Sequence, residues 1–162
     1  MDLSFDNNTT LNLGDATADH SVVVFANLGC PWCKRWFVNN WAAMMKDVQE
    51  HKLSAHLKFL NKPKQPLHNG NVANGFVDYN NPDDGALFVK NVYKHQDILD
   101  NLTNDKDVVN FLKTQLNAKP IVSSKAKDKI KSEAKNSGVT SVPTIFFDGV
   151  KHPDSGWNLP QM

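Results

Sequence analysis

Two cysteines, Cys30 and Cys33, sit in the stretch FANLGCPWCKRWF (25–37), and the chain has no others. Thiols at this spacing can form half of a metal site, a structural staple, or a reactive dithiol that cycles with its own disulfide. A structural zinc takes about four ligands from Cys and His. The six histidines (His20, His51, His56, His68, His95, His152) are scattered, and the nearest two, His51 and His56, fall across an expected helix-to-strand boundary, so no metal is expected. A CxxC bridge closes so small a loop that its entropic contribution to stability is slight. The reactive pair is the favoured reading, and it needs a scaffold.

HSVVVFAN (20–27) is a short apolar run rich in β-branched residues and predicts a buried strand ending just before the pair. From Cys33 to His51, Phe37, Trp41, Met44, Met45 and Val48 recur at helical spacing. LSAHLKFLNK (53–62) alternates Leu53, Ala55, Leu57 and Phe59 with Ser54, His56, Lys58 and Leu60, predicting a second strand. Strand, helix, strand makes a βαβ unit with parallel strands and a right-handed crossover. Residues 63–85 are punctuated by Pro, Gly and Asn and predict mostly loop with one short helical turn.

A helical stretch follows, with Leu87, Phe88, Val92, His95, Ile98 and Leu99 along one face. A second helix has Asp or Asn at its cap and buries Val108, Val109, Leu112 and Leu116. A third has Ser124 as cap, an Ala126–Ile130–Ala134 stripe and Gly138 at its end. VTSVPTIFFDGVKH (139–152) predicts a hairpin turning at Asp148-Gly149. The fold class is α/β: a mixed sheet flanked by helices, with a helical block between its two halves.

At the start of a helix, Cys30 meets free backbone N–H groups and the positive end of the helix dipole, both of which favour a thiolate. A lowered pKa enlarges the nucleophilic fraction at neutral pH. Pro31 suits the first turn, where an N–H is dispensable. Cys33 returns one turn further in, more shielded, and is expected to resolve the mixed disulfide that Cys30 forms. Far downstream, Val142-Pro143 stands immediately before the hairpin's first strand, where proline is tolerated and an X-Pro bond is either cis or trans.

On these motifs the chain resembles the thioredoxin superfamily, in its DsbA-like branch of thiol–disulfide oxidoreductases with a helical insertion. The matching pieces are VVVFANLGCPWCKRWF, LSAHLKFLN, the helical block and GVTSVPTIFFDGV, and they span roughly residues 10–152. The resemblance implies a single thioredoxin-like domain over 1–162 with the helical insertion at about 66–137. It also implies a cis Val142–Pro143 bond packed against Cys30 and a Val142 backbone that pairs with a substrate peptide as an added strand. Two departures bear on the chemistry. Pro31-Trp32 stands between the cysteines where strongly oxidising relatives have Pro-His, so Cys30 is expected to be less acidic and its disulfide less oxidising. Val24 stands six positions before Cys30, where many relatives bury an Asp or Glu, so a proton relay to Cys33 is expected either to be absent or to come from Lys34, Asn27 or water.

Composition narrows the partners. With 162 residues, 40% hydrophobic, the chain can bury one sizeable core. A formal charge of +1 gives no argument for nucleic acid, and no apolar run approaches the roughly 20 residues that span a bilayer. MDLSFDNNTTLNLG lacks the basic segment and apolar core of a signal peptide, so the expected compartment is cytoplasmic, with an exported mature form as the alternative. The expected activity is thiol–disulfide exchange with protein or small-molecule substrates, as reductase, isomerase or sensor in a reducing compartment. Expected partners are protein or peptide thiols and disulfides, with glutathione or a redox partner protein as further candidates. The chain is expected to act as a monomer without a bound cofactor.

Two other functions compete. One is a peptide-binding or chaperone module with little redox turnover. The other is a glutathione-dependent transferase relative, against which a paired CPWC argues because one-step transfer needs no resolving thiol. Trp32 is expected to be exposed as part of an apolar platform for unfolded substrate. Trp36 and Trp41 are expected to pack, and His95 to be a satisfied boundary histidine.

Overall fold

The apolar run at 20–26 becomes the central strand of a five-stranded mixed sheet. The computed structural model describes residues 3–162. The strands are β1 (Leu11–Leu13), β2 (His20–Ala26), β3 (Leu53–Phe59), β4 (Thr144–Phe147) and β5 (Val150–His152), in spatial order β1-β3-β2-β4-β5. β2 runs parallel to β3, with Val24 opposite Leu57, and antiparallel to β4, with Val24 opposite Ile145. β1 and β5 close the two edges antiparallel to β3 and β4. The helices are α1 (Pro31–Gln49), α2 (His68–Asn74), α3 (Pro82–Lys94), α4 (Gln96–Asn101), α5 (Asp105–Thr114) and α6 (Ser124–Asn136). All but α1 lie between β3 and β4 in the chain, so the sheet's last two strands join only after the helical block is built. This is the thioredoxin-like architecture with a helical insertion.

Several local expectations are corrected. Residues 63–85 are not mostly loop: they hold a 3-10 turn (Gln65–Leu67), all of α2 and the start of α3. The expected face Leu87–Leu99 is broken at His95, where α3 ends and α4 begins. Phe88, Val92 and Leu99 of that face are buried, together with Ala86, Val89, Tyr93 and Gln96, whereas Leu87 and Ile98 are exposed. His95 itself is half-buried, its Nδ1 2.8 Å from Asn91 O. Ser123, not Ser124, caps α6, accepting from the Ala126 N–H at 3.1 Å. Asn104 caps α5 in the same way, from Asp107 N–H at 2.9 Å. The second strand stops at Phe59, and β1 lies outside all the expected elements.

β3 buries both of its faces, which its alternating sequence conceals. Ser54, His56 and Lys58 share one side of the strand. α6 and the N-terminal segment supply partners there. Lys58, fully buried, forms an ion pair with Glu133 Oε2 at 2.7 Å and donates to Thr10 Oγ1 at 2.7 Å. Ser4 donates to the other Glu133 oxygen at 2.8 Å. Phe5 stacks on the His56 ring at 3.8 Å, and the His56 nitrogens lie 2.7 Å from Asn12 Oδ1 and 3.2 Å from Ser54 Oγ.

Burial, aided by the Lys58 charge, pulls His56 from 6.5 down to about 4. The unfolded chain therefore takes up a proton as pH falls through about 6.5, whereas the folded chain resists until about 4. Stability is complete above that window and lost on acidification across it, by about 2 kcal/mol after allowing for partial solvation. Urea midpoints between pH 4 and 7 should show this slope in the wild type, and His56→Gln should flatten it.

Candidate active site

Cys30 is the N-cap of α1, with extended backbone angles (φ −86°, ψ 119°), and Pro31 opens the helix. No acidic side chain occupies the first turn to oppose the dipole's positive end. Cys30 and Cys33 are both free thiols. Cys33 is fully buried and Cys30 only 5% exposed. The Cys30 thiol is pulled down to about 6, chiefly by a hydrogen bond from Cys33, and burial opposes the shift. The backbone N–H groups of Cys33 and Trp32 and the charge of Lys64 add to the lowering. Burial and the same Cys30 contact push Cys33 well above an ordinary thiol. One sulfur thus titrates below neutrality and the other holds its proton.

The Asn27 backbone N–H points at Cys33 Sγ, 3.5 Å away. Val24 lies fully buried between Leu57 and Ile145, a dry position with no acid. Across the chain, the Val142–Pro143 peptide is cis, and Val142 O lies 3.8 Å from Cys30 Sγ. The structure therefore brings together Cys30, Cys33, Pro31 and Val142-Pro143. Trp32 stands outward, 58% exposed, with the Arg35 guanidinium 5.9 Å from its ring centroid. Trp36 turns inward, its Nε1 donating to Trp157 O at 2.8 Å, and Trp41 packs partly buried against the core.

The helical block supplies residues that the sequence did not point to. Asn74 Oδ1 accepts from Leu28 N–H at 3.1 Å. Asn71 Oδ1 accepts from Asn27 Nδ2 at 2.8 Å and from Lys62 N–H at 2.9 Å. Gln96 donates to Leu28 O at 2.9 Å and Cys30 O at 3.0 Å. Tyr93 donates to Asn27 O at 3.2 Å. Gly29 and Gly70 meet backbone to backbone. A Cβ on Gly70 would overlap Asn27 Oδ1 and Gly29 N, and one on Gly29 would fall 2.9 Å from Gly70 Cα. The 27–30 turn that presents Cys30 is thus clamped by α2, α3 and α4.

Asp100 belongs to the same set. Its Oδ1 packs over Gly29, 3.2 Å from where a Cβ there would lie. Burial, then the charges of Cys30 and Asp97, raise its carboxyl to about 7, against the pull of Lys34.

The family model described as Thioredoxin matches residues 6–158. No curated protein matches the chain in sequence. A conserved protein of unknown function from Enterococcus faecalis V583 is 25% identical, with a TM-score of 0.88 over 94% of this chain and 86% of that one. Alpha-DsbA1 of Wolbachia pipientis is 21% identical (TM-score 0.69, 94% of this chain and 79% of that one). Oxidised BdbD of Bacillus subtilis is 13% identical (TM-score 0.64, 91% and 85%). The last two likenesses are of fold. With a family match over nearly its whole length and the sheet order and CxxC helix start described above, the chain belongs to the thioredoxin family.

Proposed function

We propose that the chain is a thiol–disulfide oxidoreductase in which Cys30 attacks and Cys33 resolves. The observation that carries this reading is the pair of free thiols at the start of α1, Cys30 at the N-cap with Val142 O 3.8 Å from its sulfur and Cys33 fully buried behind it. This arrangement draws the first thiol to about 6 and pushes the second well above an ordinary thiol. A nucleophile near neutrality and a protonated resolving thiol within hydrogen-bond reach suit two successive exchanges. Cys30 thiolate displaces one sulfur of a substrate disulfide and forms a mixed disulfide. Cys33 then loses its proton and attacks Cys30 Sγ, which releases the second substrate thiol and leaves the Cys30–Cys33 disulfide.

Val142, beside Cys30, offers backbone groups to an extended peptide, and exposed Trp32 offers an apolar surface, so protein or peptide thiols are the substrates. The neighbours named alpha-DsbA1 and BdbD support this assignment by likeness of fold.

A Cys30 near 6 lies closer to the thioredoxin value of about 7 than to the DsbA value of about 3.5. The reduction potential should accordingly fall between about −270 and −120 mV, nearer the former, fitting a reductase or isomerase in the cytoplasm. Thiol trapping across a dithiothreitol or glutathione series measures it. A value near −120 mV overturns the reductive direction. A pair that never equilibrates with either couple overturns the enzyme reading.

A further inference from the structure

α4 is short, but its attachment is specific. Gln96, at its start, holds two carbonyls of the 28–30 turn. Asn69 of α2 donates to Leu99 O at 2.9 Å and Leu102 O at 2.8 Å, closing the helix's other end. Asp100 lies four residues after Gln96, on the same helical side, so the clamp that fixes Gln96 delivers Asp100 over Gly29, the residue next to Cys30 in the chain. Asp100 also lines an open groove of about 560 Å³ with His68, Asn69, Leu102 and Asp105, which gives its carboxyl a path to solvent.

We propose that Asp100 is a proton store coupled to Cys30, loaded when the cysteine pair is reduced and discharged when it is oxidised. The inference rests on the disulfide-exchange reading above. A dithiol that reduces the Cys30–Cys33 disulfide gives up two electrons and two protons and becomes a disulfide. The S–S bond breaks, Cys33 keeps one proton as a thiol, Cys30 remains a thiolate, and the second proton passes to the Asp100 carboxylate. In the forward attack, the Cys30 electron pair forms the new S–S bond and the substrate's other sulfur leaves with the pair of the broken one. The vanishing charge on Cys30 releases the Asp100 proton to that leaving thiolate.

The groups facing Asp100 fit this role. Cys30 and Lys34 approach from α1, and Asp97 lies on its own helix. His68 and Asp105, across the groove, are paired with each other at 2.6 Å. Lys64 bears on Cys30 rather than on Asp100. Cys30 is therefore the neighbour whose charge changes with the redox state. Burial raises the carboxyl toward about 7, and the charge of Cys30 adds to that rise.

The test is a carbon-detected NMR titration of the Asp100 carboxyl, assigned through Asp100→Asn, in three proteins. The reduced wild type should titrate near neutrality. The oxidised wild type and reduced Cys30→Ser should titrate lower by about one pH unit or more, a tenfold change in affinity for the proton. Equal midpoints in all three overturn the proposal. As a second readout, the dithiothreitol equilibrium of Asp100→Asn should depend on pH more steeply than that of the wild type, by up to about tenfold per pH unit just below neutrality, because dithiothreitol gives up two protons and the variant takes back only the one on Cys33. Equal slopes also overturn it. A chain that binds peptides without exchanging disulfides would still show the midpoint difference, because dithiothreitol alone reduces it. A chain that exchanges disulfides with unchanged midpoints keeps its function and loses this proton store.

Discussion

Cys30→Ser is expected to bring disulfide exchange down to the uncatalysed rate, while Cys33→Ser should accumulate a stable mixed disulfide between Cys30 and a peptide thiol. The asymmetry follows from the two environments. At pH 7 a thiol titrating near 6 is about 90% thiolate, against a few per cent for a free cysteine near 8.5, roughly a thirtyfold gain in nucleophile. Cys33, fully buried and protonated, makes no comparable first attack. Its role begins once Cys30 Sγ has become part of a disulfide one helical turn away. Mass spectrometry of the trapped adduct, together with alkylation rates against pH, checks both halves. Cys30 alkylation should rise with pH through a midpoint near 6. A midpoint near 8.5, or equal adduct formation by the two single variants, would contradict the assignment of roles.

Glu133→Ala should be the most damaging single change to stability away from the site, costing on the order of 3–5 kcal/mol. Lys58 is fully buried, and its ammonium is held by one carboxylate oxygen and one hydroxyl. Among the described residues, Glu133 Oε2 has no partner other than that ammonium. Burial pulls Lys58 below its ordinary value, while the Glu133 hydrogen bond and charge push it back up. Removing Glu133 leaves either a buried unpaired cation or a lysine neutralised at a cost. The sign with pH is fixed. With its folded value further depressed, Lys58 binds fewer protons folded than unfolded, so the variant's deficit narrows as pH rises above 7. Denaturant midpoints at pH 7 and 9 measure this. The double change Lys58→Met with Glu133→Leu should cost less than Glu133→Ala alone, because both charges leave together.

The βαβ unit, the helix start at Cys30 and the terminal hairpin were legible because each rests on a local signal: a β-branched run, a 3.6-residue stripe, an Asp-Gly turn. β1 was not, since three residues cannot establish a period. α2 was hidden for another reason. Its Asn and Gly residues read as loop punctuation, yet Asn69, Asn71 and Asn74 spend their side chains on backbone groups of other segments, and Gly70 is there for close approach to Gly29. Ile98 was misplaced by counting one helix through His95, where α3 ends and α4 begins, and Leu87 by taking every apolar residue of α3 for its buried face. Lys58 read as the outward half of an alternation because its partner lies far along the chain, in α6. Gln96 and Asp100 carried a faint signal, two polar residues four apart in a six-residue helix, but only the fold shows which turn they face.

The carbonyl that accepts from the Cys30 sulfur, that of Val142, is 112 residues away in the chain. During synthesis both cysteines leave the ribosome long before the hairpin that walls their site. Until then Cys30 has its neighbours in α1 but not the cis Val142–Pro143 turn that stands against its sulfur in the finished fold. The site is thereby closed by the last part of the chain to be made: a half-made chain carries both cysteines without the wall that stands beside them.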